Sequence, residues 1–149
     1  MSTWGAGAEQ NDDAADWLAD LAEEPTVPAL NDAFDEGLNP ERDDYLEVTE
    51  GAIAIAAAGV VAQLVEPQAD FMLLDKDAVL QLQAQHHKLA NGAQRSRVKR
   101  ALCCVSMVSD ATRSELQQLV NEDTDIGQAW ASGMQRLSLR LVAAHDTLK

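Results

Sequence analysis

Trp4, Gly5, Gly7, Asn11, Asp12, Asp16, Trp17 and Asp20 crowd the first twenty residues and form the densest group of side chains able to recognise something. If Asn11 caps a helix, Asp12, Asp16 and Asp20 fall at i, i+4 and i+8 and make one ridge of like charge. Such neighbours repel by roughly a few tenths of a kcal/mol per pair, so the ridge favours a cation or a basic partner. Trp4 and Trp17 flank the two glycines, Asn11 and the aspartates Asp12, Asp13 and Asp16, and would supply the apolar wall of a pocket with Asn11, Asp12 or Asp16 as its polar groups. Capping alone also accounts for these types and positions: Asn11 and Asp12 would close the helix while Trp4 folds back as a hydrophobic plug.

The other constellations are weaker. Asn121, Asp123 and Asp125 imitate the first three ligands of a calcium loop, but the turn glycine falls one place late, at Gly127, and Ser132 stands where a bidentate Glu is required. His86 and His87 are consecutive, so on a helix only one can face a given site, and no second His lies four residues away. Ser106, Ser109 and His87 lack a nucleophile elbow, and Gly5-x-Gly7 follows no strand and lacks the third glycine of a dinucleotide loop. Cys103 and Cys104 are adjacent, with no C-x-x-C, and are expected as two buried, reduced thiols of a cytoplasmic protein. The run from Arg95 to Arg100 has no interleaved aromatics and is expected to pair with the acidic part of the chain or to lie in solvent. These patterns assemble no catalytic set, no metal site and no cofactor loop.

Charge separates along the chain. Residues 1–50 hold 15 Asp and Glu against Arg42 alone, while residues 51–149 hold 10 of each sign, so the whole net charge of −14 sits in the first third. That field argues against nucleic acid and anionic membrane as partners and draws in basic proteins. The N-terminus has no basic residue or apolar stretch of the signal-peptide kind, and the longest apolar run, Gly51 to Val65, is too short to span a bilayer.

The elements that must position these residues are helices. Apolar residues make up 46% of the chain but aromatics only 4%, so Ala, Leu and Val have to build the core, a mixture that favours helix over strand. Ala14, Trp17, Leu18 and Leu21 give a first stripe, ended by Pro25; Leu30, Ala33 and Phe34 give a second, opened near Thr26 and stopped at Gly37. A third helix opens at Thr49 or Glu50, runs through AIAIAAAGVVAQLV to Pro67 and has almost no polar side, so it should be central. Asp75 caps a fourth carrying Val79, Leu82, His86 and Leu89, closed by Asn91-Gly92. Val98, Leu102, Val105 and Val108 mark a fifth. Leu116, Leu119 and Val120 mark a short one from Ser109 or Thr112, and Ile126, Trp130, Met134, Leu137 and Leu141 mark the last, from Asp125.

Three sequence blocks resemble a known family. Trp4-Gly5-x-Gly7 with Asn11-Asp12-x-Ala14-x-Asp16-Trp17-Leu18 is similar to the start of a bacterial domain of unknown function, number 4259. Asp44-Tyr45-Leu46-Glu47 followed by Gly51 and the Ala-rich helix matches it in the same order, and Ser114-Glu115-Leu116 with Trp130 and Arg140-Leu141 is a third, less specific block. Two departures stand out: Ser2 replaces the usual Gly with no aromatic between Gly7 and Asn11, and Gly59 stands where many relatives have an acidic residue. The resemblance implies a compact bacterial domain and carries no catalytic residue with it.

The reading is therefore an all-α protein, a compact antiparallel array of about six or seven helices around a central Ala-rich helix, in a single domain over residues 1–149 with residues 1–10 as a loop. Its expected role is a non-enzymatic interaction domain, an acidic inhibitor or immunity-type protein masking a basic partner. The interaction surface would draw on Trp4, Asn11, Asp12, Asp16, Trp17, Asp20, Asp44 and Tyr45. The alternative is a small-ligand binder or enzyme built on the Trp4–Trp17 block.

Overall fold

The computed structural model describes residues 12–37, 48–65, 74–87, 91–110, 114–122 and 124–147. Within them the elements are helices: α1 (Asp12–Glu23), α2 (Val27–Gly37), α3 (Val48–Val65), α4 (Lys76–His87), α5 (Asn91–Val108), α6 (Glu115–Asn121) and α7 (Thr124–Thr147). The fold is all-α, and α3 packs against each of the other six helices.

That central place follows from composition. From Gly51 to Leu64 every residue of α3 except Ile53 is buried, and no face is left for solvent. Ala and Gly bring neighbouring backbones close all round the helix, which a chain of Leu could not allow. The surrounding helices supply the bulk: Leu30 and Phe34 from α2, Leu82 from α4, Val98 and Val108 from α5, and Trp130, Leu137 and Leu141 from α7 are all inaccessible.

The one polar side chain in the buried length of α3 is a clamp. Gln63 donates from Nε2 to the Leu74 carbonyl at 3.2 Å and accepts from the Leu74 N–H at 3.3 Å, so both backbone groups of a buried residue are satisfied just before α4. Two glutamines of α4 return the favour. Gln83 donates to the Leu64 carbonyl in the last turn of α3 at 3.2 Å. Gln85 accepts from the Val27 N–H at 2.9 Å and donates to the Pro25 carbonyl at 2.7 Å, which caps the N-terminus of α2 and fastens the link after α1.

Local signals set most helix ends. Asp75 caps α4 through its Oδ1, which accepts from the Ala78 N–H at 2.8 Å. Pro28 occupies the second position of α2, where a missing N–H costs nothing. Two boundaries differ from the sequence expectation. Asn91 and Gly92 open α5 instead of closing α4; the pair is permissive of either role. The short helix begins only at Glu115, because Ser114 is its cap: Ser114 is buried, and its Oγ accepts from the Gln117 N–H at 3.2 Å. Ser109 and Thr112, expected as starts, precede that cap.

Candidate functional site

On α1, Ala14 and Leu21 are buried while Trp17 and Leu18 are partly buried against the core, so the helix is anchored by one stripe. Asp16 and Asp20 are exposed one turn apart, as the ridge requires. Asp12 is the first residue of α1. Trp4, Asn11, Asp44 and Tyr45, which the sequence singles out for the same surface, lie outside the described residues.

Trp17 nevertheless lines a cleft. Its walls are Trp17 of α1, Ala29, Asp32, Ala33 and Glu36 of α2, and Glu50 and Ile53 of α3, around about 420 Å³. Asp32 and Glu36 sit at i and i+4 on α2 and are exposed, and Glu50 stands in the first turn of α3. The floor is apolar and the polar groups are carboxylates. Sequence reasoning found Trp17 and placed Glu36 and Glu50 in the acidic part of the chain, but named none of the three acids as a site residue. Their signal was present in the i, i+4 spacing of Asp32 and Glu36 on the side of α2 flanking the Leu30–Phe34 stripe. Only packing could reveal that this side faces Trp17. Among the described residues no group of three or more His, Cys, Asp or Glu side chains converges as metal ligands would.

α1 carries five carboxylates, α2 three, and neither contains a Lys or Arg. Among the described residues, α5 supplies two bases to α2. Arg97 is buried and donates from Nε to Asn31 Oδ1 at 3.1 Å; burial pulls its guanidinium below the usual arginine range. Arg100 forms an ion pair with Asp35 and lies over the Phe34 ring, 6.0 Å from the centroid. Within the basic run, Arg100 thus pairs with an acid of the first third of the chain and Arg97 with an amide. The two contacts fasten α5 to α2 through Asn31 and Asp35, on the side of α2 adjoining the one that carries Asp32 and Glu36.

The cysteines divide. Cys104 is buried, and burial pushes its thiol up to about 12, with Cys103 adding to the rise and Arg100 opposing it. Cys103 is exposed, which corrects the expectation of two buried thiols: adjacent residues on a helix are turned about 100° from each other, and only one could face α3 and α7. Cys104 does not have the setting of a catalytic nucleophile, since it is held protonated and inaccessible.

The chain matches, over residues 2–133, the family described as a domain of unknown function, DUF4259. It belongs to that family. No curated protein and no solved structure matches it. Membership in DUF4259 extends from the N-terminal block through α3 and into the first half of α7, so the cleft lies wholly within the shared region. Gly59 is buried in α3 and is not part of the cleft. No described helix is long and apolar enough to cross a membrane.

Proposed function

We propose that this DUF4259 protein is an interaction domain that takes a basic protein partner on the face formed by α1, α2 and the start of α3. The observation that supports this most directly is the exposure of four carboxylates on two helices that contain no Lys or Arg. Arg97 and Arg100 of α5 are engaged by Asn31 and Asp35, while Asp16, Asp20, Asp32 and Glu36 are exposed on α1 and α2. Surface of one sign steers an oppositely charged partner and raises its association rate. The concrete form of the proposal is an inhibitor or immunity-type protein: an acidic face laid over a basic, phosphate-binding cleft would block it by competing with the phosphate.

The test is affinity capture of a partner with the wild-type protein and with the Asp16→Asn/Asp20→Asn variant, followed by association rates across ionic strength. A partner with a basic surface, an on-rate that falls with salt and a several-fold slower on-rate for the variant are the expected results. A captured protein that binds both forms equally, with no salt dependence, would remove the proposal. The cleft beside Trp17 also supports a second reading, a small-ligand site, which the free-ligand measurements below separate from the first.

A further inference from the structure

Charge on a face explains encounter but not what fixes a partner in register. A cleft does that. Resting on the interaction reading above, we infer that the Trp17 cleft seats one arginine side chain of the basic partner, its guanidinium held between the indole and the carboxylates of Asp32, Glu36 and Glu50.

Three features select this occupant. The first is shape: about 420 Å³ lies toward the lower end of the roughly 300–1,000 Å³ usual for built ligand sites and admits an entire long side chain. The second is the pairing of an apolar floor with a charged rim. Ala29, Ala33 and Ile53 suit the methylenes of an arginine stem, Trp17 offers the ring best suited to a cation, and the acids receive the head. The third is the placing of those acids. They come from two helices, α2 and α3, and do not converge as metal ligands would, so they fit a planar, multi-donor cation better than a single ion. Glu36 and Glu50 already interact within the chain, and a carboxylate offers about four acceptor positions, so an added guanidinium does not require those contacts to break. Lysine suits the site less well, because a strongly hydrated point charge gains less from a ring face and a divided rim.

The experiment titrates N-acetyl-L-arginine amide into the full chain and follows the indole N–H resonance of Trp17, assigned with Trp17→Phe. A saturable shift is expected, absent with the uncharged citrulline counterpart at the same concentration and weaker with N-acetyl-L-lysine amide. Asp32→Asn and Glu36→Gln should each weaken binding about tenfold, the scale of one hydrogen bond to a charged group, while Asp16→Asn/Asp20→Asn should stay within about twofold. Both cleft residues are exposed and their replacements are near-isosteric, and circular dichroism checks that the variants stay folded. No saturation, an equal response to citrulline, or indifference to the Asp32 and Glu36 changes would overturn the inference. Tighter binding of free L-arginine than of the capped form would assign the cleft to a small metabolite and also overturn it. The two proposals fail separately. Association with a basic protein that depends on Asp16 and Asp20, without a saturable response to the arginine probe, keeps the face and removes the cleft. Saturation by the probe with no basic protein partner removes the face.

Discussion

α1 and α3 are both helices with few aromatic residues, yet they serve opposite purposes. α3 is apolar on every side and touches all six other helices, so nearly every side chain it has is spent on packing. α1 buries one stripe, Ala14 and Leu21 with Trp17 and Leu18 beside them, and turns Asp16 and Asp20 outward. The lesson is a division of labour that a single substitution can probe. Changes along α3 should act on folding, and changes on the outer face of α1 should act on association, because only the second helix has surface left over.

The largest effect that would break this comparison is at the hub. Ala57 is wholly buried, and Ala57→Asp places a charge where no partner exists to receive it, at a cost of about 3–5 kcal/mol or more. Thermal denaturation followed by circular dichroism should show an unfolded or severely destabilised chain. A melting temperature within a degree or two of the parent would mean that α3 is not the element around which the others pack.

Next comes the clamp. Gln63→Ala strips both hydrogen bonds from the buried Leu74 backbone and leaves a small cavity, an expected loss of about 2–4 kcal/mol in chemical denaturation. Gln83→Ala, which releases a single carbonyl near a partly exposed helix end, should cost less, about 1 kcal/mol. If the two losses are equal, burial is not what makes the first clamp matter.

A smaller and pH-dependent effect belongs to Cys104. Its folded thiol is raised to about 12 from the ordinary value of 9.0, so the folded state holds a proton that the unfolded state releases first. The corresponding stability is present in full below about pH 9, where both states are protonated, and is lost as pH climbs toward 12. Cys104→Ser or Cys104→Ala should flatten that alkaline decline relative to wild type. A maleimide should label Cys103 in the native protein and reach Cys104 only after denaturant is added. Equal labelling of both under native conditions would contradict the packing of α5.

The smallest expected change in stability is on the ridge. Removing the charges of Asp12, Asp16 and Asp20 together as Asn relieves repulsion between neighbours one turn apart, so the midpoint of unfolding should stay level or rise by about 0.5 kcal/mol at most. Strong destabilisation would show that these acids hold α1 in place, and the contrast between the two helices would collapse.

Much of the fold was legible without coordinates. A helical period with too few aromatics and β-branched residues for sheets led to the all-α class, the unbroken apolar run led to the central helix, and Pro25, Pro28, Gly37 and Asp75 marked ends that local chemistry alone enforces. The charge division at residue 50 was also plain, since it is a property of composition. What eluded the linear reading depends on which surfaces meet. Asn91-Gly92 suits the end or the beginning of a helix, so the pair by itself did not show that it opens α5. A glutamine in an apolar run looks like a surface residue, and Gln63, Gln83 and Gln85 became clamps because unsatisfied backbone groups from other helices were brought beside them. Cys103 and Cys104 were indistinguishable until a 100° turn buried one and exposed its neighbour.

The sequence by itself determined that this protein is helical, that α3 lies at its centre and that its negative charge is confined to the first third, because periodicity, side-chain volume and charge are local and survive without a fold. Tertiary structure alone decided that Arg97 and Arg100 meet Asn31 and Asp35 and that Asp32, Glu36 and Glu50 line one cleft with Trp17. Those relations join residues from separate helices, and their geometry exists only once α3 has drawn the helices together.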